Sequence, residues 1–101
     1  MSRNALTPAE IERLAKLAEE CGEITQMVGK ILIHGYENTH PRFPELGTNR
    51  ARLEEEIGNL NAIVCIMEQN RDMQGYKIRE SEVNKLKTIW KYLHENIEKE
   101  V

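Results

Sequence analysis

Apolar residues recur every three or four positions along most of this 101-residue chain, which is the spacing of amphipathic α-helices. A first stripe consists of Leu14, Leu17, Cys21, Ile24, Val28 and Ile31. A second stripe consists of Leu53, Ile57, Leu60, Ile63, Val64 and Met67. A third consists of Val83, Leu86, Ile89, Trp90, Leu93 and Ile97. The pattern predicts an all-α fold, a small bundle of three long helices.

Helix-capping residues mark the start of the first helix. Thr7 is suited to the N-cap, Pro8 to the first helical position, and Glu10 to a capping box with Thr7. We expect this helix to run to about Leu32. Glycine and proline then interrupt the periodicity, so residues 34–47 are predicted to form a loop.

The later helices have less distinct boundaries. Thr48 or Asn49 can cap the second helix, which is predicted to continue to about Asn70. Residues 72–75 are typical of a turn, and the last helix is predicted to begin near Glu80 or Ser81. We therefore expect a tail at 1–6 and a single helical domain at 7–101, with short helical turns in its loops.

Size and composition indicate that one copy has a thin core. Only 40% of the residues are apolar and 5% are aromatic, and a chain of this length is near the lower end of what one core supports. Three amphipathic helices with a long loop leave apolar edges uncovered. We expect oligomerisation to complete the bundle, as a homodimer or homotetramer.

The charge balance gives no general reason to expect binding to nucleic acid or membranes. The chain has 14 Lys and Arg against 17 Asp and Glu, a net charge of −3. No apolar run approaches the roughly 18 residues that a membrane span requires, and no secretory segment follows the start of the chain. These features predict a soluble, cytoplasmic protein.

The cysteines and histidines do not form a zinc motif. Cys21 and Cys65 lie at or beside the apolar stripes, where we expect them to be buried and reduced. The sequence has no CxxC pair, and His34, His40 and His94 lack the spacing of a zinc module.

Two glutamates lie where the helical pattern calls for apolar side chains. At about 100° per residue, Glu20 lies about 60° from Leu17, at the edge of the first stripe. Glu56 lies about 40° from Leu60, inside the second. A carboxylate directed at a core is costly unless a cation or a hydrogen-bond donor meets it. Two such residues in matching positions predict a shared cation, most simply a metal ion.

Each inward glutamate has a polar residue three positions later on the same flank. Glu23 follows Glu20 and Asn59 follows Glu56, whereas Glu19 points to the opposite side and is predicted to be solvated. Packed together, the two helices would direct four oxygen-bearing side chains to one point.

The same residues resemble a known motif pair. Glu19-Glu20-Cys21-Gly22-Glu23 and Glu56-Ile57-Gly58-Asn59 resemble the EExxE and ExxD motifs of the MazG-like all-α nucleoside triphosphate pyrophosphohydrolases. The likeness covers roughly residues 10–70, and the C-terminal third is similar only as a basic helix. It implies cleavage between the α- and β-phosphates of a nucleoside triphosphate, with magnesium or manganese as the cofactor.

The resemblance also implies roles for particular residues. The catalytic candidates are Glu19, Glu20, Glu23 and Glu56, and the metal-binding candidates are Glu20, Glu23, Glu56 and Asn59. Lysines could meet the phosphate charge, and loop residues could contact the base. The nucleotide-binding candidates are Lys30, His34, Tyr36, Lys85, Lys87 and Lys91. Solvated lysines, and a Tyr36 that covers the bundle end, are the alternatives.

Asn59 departs from the family pattern, which has aspartate at that position. Its amide oxygen can coordinate a metal, but it is neutral and cannot act as a base. Three functions therefore stay open: a pyrophosphohydrolase weakened at Asn59, a protein that binds or sequesters nucleotides without cleaving them, and a helical interaction module. In the third, the inward glutamates pair with arginines such as Arg13, Arg50 or Arg52 across a subunit interface.

Overall fold

The computed structural model describes residues 5–95, and within that range the protein is an all-α bundle. The long helices are α1 (Pro8–His34), α2 (Asn49–Gln69) and α3 (Gly75–Thr88). Two 3-10 helices, Pro44–Leu46 and Ile89–Tyr92, lie in the α1–α2 loop and directly after α3. The predicted three helices with short helical turns are confirmed. None of the described helices is long and apolar enough to cross a membrane.

The first two helices begin at the predicted caps. Thr7 and Glu10 form the capping box of α1, and the Thr48 hydroxyl accepts a hydrogen bond from the Ala51 N–H at the start of α2. α1 ends two residues beyond the predicted Leu32, because Gly35 adopts a φ of 86° and donates its N–H to the Ile31 carbonyl.

The start of α3 is a correction to the sequence prediction. The helix begins at Gly75, five residues before Glu80, and its N-cap residue Gln74 makes no side-chain hydrogen bond. Without a capping side chain, nothing in the sequence marks this start. The α-helix also ends early, at Thr88, whose hydroxyl bonds to the Asn84 and Lys85 carbonyls, and a 3-10 turn follows. Ile97 lies outside the described residues.

α1 and α2 run antiparallel and pack along a line that we call the seam. Its buried apolar residues are Met27, Ile63 and Met67. On α1 the covered face is rotated from the predicted one: Glu20 and Met27 are buried, at about 60° and 80° from Leu17 on the same side. The opposite half of the predicted stripe, including Leu14, Cys21 and Val28, is exposed.

Both cysteines are free, as predicted, but the expectation that they are buried is wrong. Cys21 belongs to the exposed half of the α1 stripe, and Cys65 is exposed on α2. The sequence pattern placed Cys21 in the core because it could not show which half of a broad stripe α2 covers.

The third helix contributes little to this packing. It makes its main contacts with the 3-10 helix that follows it, rather than with α1 or α2. The radius of gyration is 17.1 Å, compared with about 13 Å for a compact domain of this length. Exposed apolar residues, including Val83 and Leu86 of α3, therefore lie uncovered within one copy.

A partly buried ion pair connects the α2–α3 turn to α1. The Arg13 guanidinium donates two hydrogen bonds to Asp72, from Nε at 2.6 Å and from Nη2 at 2.9 Å, and both side chains are largely shielded from solvent. The hydrogen bond from Arg13 lowers the pKa of Asp72 below its ordinary value.

We predict that Asp72→Asn lowers the melting temperature by several degrees at neutral pH, because Arg13 loses its charged partner. A carboxylate with a lowered pKa adds stability above its ordinary pKa, and this stability is lost as the pH falls through the lowered value. The difference between wild type and variant should therefore begin to shrink below about pH 4 and disappear below the lowered pKa of Asp72. Thermal unfolding followed by circular dichroism measures this.

Glu37→Gln is the matched control, because it breaks the exposed ion pair between Glu37 and Arg50 and should change the melting temperature little. Equal melting temperatures for wild type and Asp72→Asn at neutral pH would contradict a stabilising role for the ion pair between Arg13 and Asp72.

Candidate metal centre

Three carboxylates converge in the seam. Glu20 and Glu23 lie on successive turns of α1, and Glu56 approaches from α2. One oxygen atom from each lies within 4.8 Å of the others, which makes the three a group that could hold a metal ion. The sequence prediction that these residues share one site is consistent with this geometry.

Two of these carboxylates have oxygen atoms without a partner. Glu20 is only 5% exposed, and neither its Oε2 nor the Oε2 of the half-buried Glu56 has a hydrogen-bond partner among the described residues. A buried carboxylate oxygen without a hydrogen-bond partner has a desolvation cost that no contact to that oxygen offsets. The arrangement therefore has an unmet requirement for positive charge.

Glu23 and Glu56 interact closely enough to shift the pKa of Glu23. The pKa of Glu23 is raised above its ordinary value, first by its hydrogen bond with Glu56, then by the Glu56 charge and by partial burial. Like charges this close favour retention of a proton by one of the pair. A bound cation would remove the need for that proton.

Lys16 supplies part of the missing charge. Its Nζ lies 3.2 Å from an oxygen of Glu20 and 3.2 Å from an oxygen of Glu19. These hydrogen bonds, the one to Glu19 first, raise the pKa of Lys16. Lys16 contacts Oε1 of Glu20 and leaves Oε2 unpaired. Sequence reasoning missed this lysine, although its i, i+4 spacing to Glu20 could have indicated it.

The donor set fits a hard divalent cation. Magnesium takes oxygen ligands at about 2.1 Å, so opposite ligands of one ion lie about 4 Å apart. Adjacent ligands lie about 3 Å apart. The three oxygens lie within 4.8 Å of one another, so side-chain movements would bring them to ligand spacing. Glu20, Glu23 and Glu56 could hold the ion, with remaining positions open to water or phosphate.

The other predicted residues of the two motifs lie at the margin of this group. Asn59 is exposed and lines a shallow groove beside it, together with Lys16, Glu20 and Ile63. Glu19 is exposed, as predicted, and contacts Lys16. If Glu19 has the predicted catalytic role, it would act from outside the three-carboxylate group.

The predicted nucleotide-binding residues divide into two sets. Lys30 and His34 line a pocket at the loop end of the seam, with Arg52, which the site prediction did not include. Tyr36 instead lies beneath the Arg50 guanidinium, whose carbon is 4.3 Å from the ring centroid. The remaining three, Lys85, Lys87 and Lys91, are exposed on α3 and the second 3-10 helix, and the structure does not bring them into the seam.

Comparison of the chain with protein-family models, curated proteins and solved structures gave no match.

We predict that Glu56→Gln raises the melting temperature of the metal-free protein, because it removes one of three mutually repelling charges. The same change should abolish stabilisation by magnesium or manganese. In wild type, that stabilisation should approach about 2.7 kcal/mol when the metal is at a hundredfold excess over its Kd. Differential scanning calorimetry with and without metal measures both effects.

Glu54→Gln is the control for this measurement, since Glu54 is an exposed glutamate on the same helix. It should leave the metal-dependent shift unchanged. A wild-type melting temperature that does not respond to either metal would contradict the proposed centre.

Proposed function

We propose that the seam is the active site of a magnesium-dependent nucleoside triphosphate pyrophosphohydrolase, which converts a nucleoside triphosphate and water into a monophosphate and pyrophosphate. The observation that carries the proposal is the convergence of Glu20, Glu23 and Glu56, with buried, unpartnered oxygens on two of them. The resemblance of the two motifs to MazG-like enzymes supports the same chemistry. Manganese could replace magnesium, and the reaction would take place in the cytoplasm.

Each part of the site has a role in this reaction. A bound divalent cation would neutralise phosphate charge and polarise the attacking water. The three glutamates would hold and orient the phosphates through that cation, and Lys16 would balance the remaining charge beside Glu20. Water attacks the α-phosphorus, the bond from that phosphorus to the bridging oxygen breaks, and pyrophosphate leaves. A carboxylate of the group accepts the proton from water.

A second candidate is a protein that binds or sequesters nucleotides without cleaving them, and the position of Asn59 favours it. This residue lines the groove beside Glu20, where the family pattern has an aspartate. An amide there can accept hydrogen bonds or contact a metal, but it cannot take a proton from water. The substrate pocket could therefore persist while hydrolysis is slow or absent.

The third candidate, a helical interaction module, requires cationic partners for the inward glutamates. Within the described residues, Arg13 pairs with Asp72 and Arg50 with Glu37, so neither of these arginines meets Glu20 or Glu56. Pairing across subunits stays possible under this hypothesis. Heat protection by magnesium or manganese that is lost in Glu20→Gln would exclude the interaction module. Arginine side chains paired with the glutamates would occupy the position that a metal ion needs.

The enzyme proposal predicts release of pyrophosphate from at least one nucleoside triphosphate in the presence of magnesium. Asn59→Asp should raise the rate by about tenfold or more, because a positioned acid–base group contributes about 10²–10⁴-fold where it acts directly. A panel of nucleotides, assayed for pyrophosphate with wild type and variant, measures this.

Asn61→Asp is the matched control, since it makes the same substitution two residues away on the exposed surface of α2. No turnover of any nucleotide by wild type or Asn59→Asp would reject the enzyme. Tight nucleotide binding in calorimetry without turnover would then favour the second candidate.

We also propose that the protein works as a homodimer or homotetramer with nucleotide as its ligand. Exposed apolar residues on α1 repeat at seven-residue spacing through Leu14, Cys21 and Val28, and Leu32, which is 81% exposed, extends the row. A row with this spacing suits packing against another helix.

We predict that wild type sediments as a dimer or tetramer and that Val28→Glu shifts it toward monomer, because a charge would be placed in the apolar row. Gln26→Glu, at an exposed position on another face of α1, is the control. Sedimentation velocity measures the mass, and a monomeric wild type would contradict the prediction.

A further inference from the structure

The loop end of the seam contains a basic pocket that the proposed metal centre does not use. Its volume is about 390 Å³, and we define it by Lys30, His34, Thr39, His40, Asn49 and Arg52. The residues that line it include two permanent cations and two histidines but no carboxylate. In a chain with a net charge of −3, this is a local excess of positive charge.

The two permanent cations are available to a ligand. Neither Lys30 nor Arg52 makes an ion pair within the described residues. Arg50, two residues away on α2, is by contrast paired with Glu37 and lies over Tyr36. The first turn of α2 thus contains one arginine engaged with the loop and one directed to the pocket. Two cations without ion-pair partners at a concave surface favour the binding of a multiply charged anion.

The neutral groups of the pocket are held in place by the loop. Asn49 is 4% exposed, and its side-chain amide donates a hydrogen bond to the Gly35 carbonyl at 3.0 Å, which fixes the loop against α2. The Nδ1 atom of His40 accepts hydrogen bonds from the backbone N–H groups of Arg42 and Phe43. The neutral ring therefore carries its proton on Nε2, which leaves a hydrogen-bond donor at its other edge.

The basic pocket and the three carboxylates lie one after the other along the seam. Lys30 lies two helical turns beyond Glu23 on the same flank of α1, a distance of about 10 Å along the axis. Arg52 lies one turn before Glu56 on α2, at the end of the pocket that is nearer the carboxylates. A chain of linked phosphates with one member at the carboxylates would extend past Arg52 toward Lys30.

The electrostatic potential at the loop end of the seam depends on side-chain charges rather than on helix dipoles. The carboxyl end of α1 and the amino end of α2 meet at the loop, and their dipoles have opposite sense there. Their effects on an anion in the pocket largely cancel. The attraction must then come from Lys30, Arg52 and the hydrogen-bond donors of the loop.

We propose that the basic pocket is a polyphosphate subsite, which binds the terminal phosphates of the nucleotide, with Arg52 and Lys30 as the principal contacts. This assignment rests on the proposed function, and it fixes a direction for the ligand: the phosphate tail points to the α1–α2 loop. It predicts selectivity for triphosphates over monophosphates, because a monophosphate engaged at the carboxylates would not reach Lys30.

The test uses inorganic tripolyphosphate as the probe, titrated into metal-free full-length protein by calorimetry. Arg52→Gln and Lys30→Gln should each weaken binding by about tenfold, because each removes a charged hydrogen-bond donor. Arg50→Gln is the matched control, since it removes the same charge from the same helical turn outside the pocket, and it should bind nearly as wild type does.

Three outcomes would overturn the proposal: no binding of tripolyphosphate by wild type, equal loss in Arg50→Gln and Arg52→Gln, or competition by a nucleoside without phosphates, which would make the pocket a base site. Folding of the variants is checked by their melting temperatures and by their stabilisation with magnesium. The titration requires neither metal nor turnover, so failure of this subsite is distinguishable from failure of the enzyme.

Discussion

The meeting of three carboxylates between two antiparallel helices is the constraint on which the other features of this protein depend. Glu20, Glu23 and Glu56 occupy positions in the seam that apolar side chains would fill at lower energetic cost. Close packing of α1 on α2 brings these charges together, and the hydrogen bond to Glu56 and the repulsion by its charge raise the pKa of Glu23. Lys16 meets one oxygen of Glu20, and the proposed cation would offset the remaining repulsion.

The polar and apolar groups of the seam follow one another along its length. At one end, Lys16 and Asn59 lie with the apolar side chains of Ile63 and Ile66. The carboxylates occupy the middle, and the basic pocket lies next to the loop. An elongated ligand with an apolar or aromatic part at one end and negative charge at the other matches this order. A nucleoside triphosphate has that polarity, which is why the metal centre and the basic pocket support the same class of ligand.

Sequence periodicity predicted the fold class, the caps of α1 and α2 and the inward direction of Glu20 and Glu56. These features are local, because caps and helical angles depend on residues within a few positions of each other. The start of α3 was missed since Gln74 caps without a side-chain bond. Arg52 was not assigned to the site because its position depends on how the loop folds back onto α2, and Lys16 was overlooked despite its local spacing.

The apolar stripe of α1 is too broad for α2 to cover, and the half that α2 covers is the one that adjoins Glu20 and Glu23. Turning α1 by about 100° would bury Leu14 and Val28 against α2, but it would also carry Glu20 toward solvent and separate Glu23 from Glu56. The observed orientation keeps the carboxylates together and leaves the apolar half exposed. A bound cation would relieve the first cost, and a second copy of the chain would cover the second. The proposed metal binding and the proposed self-association would then both follow from one helix orientation.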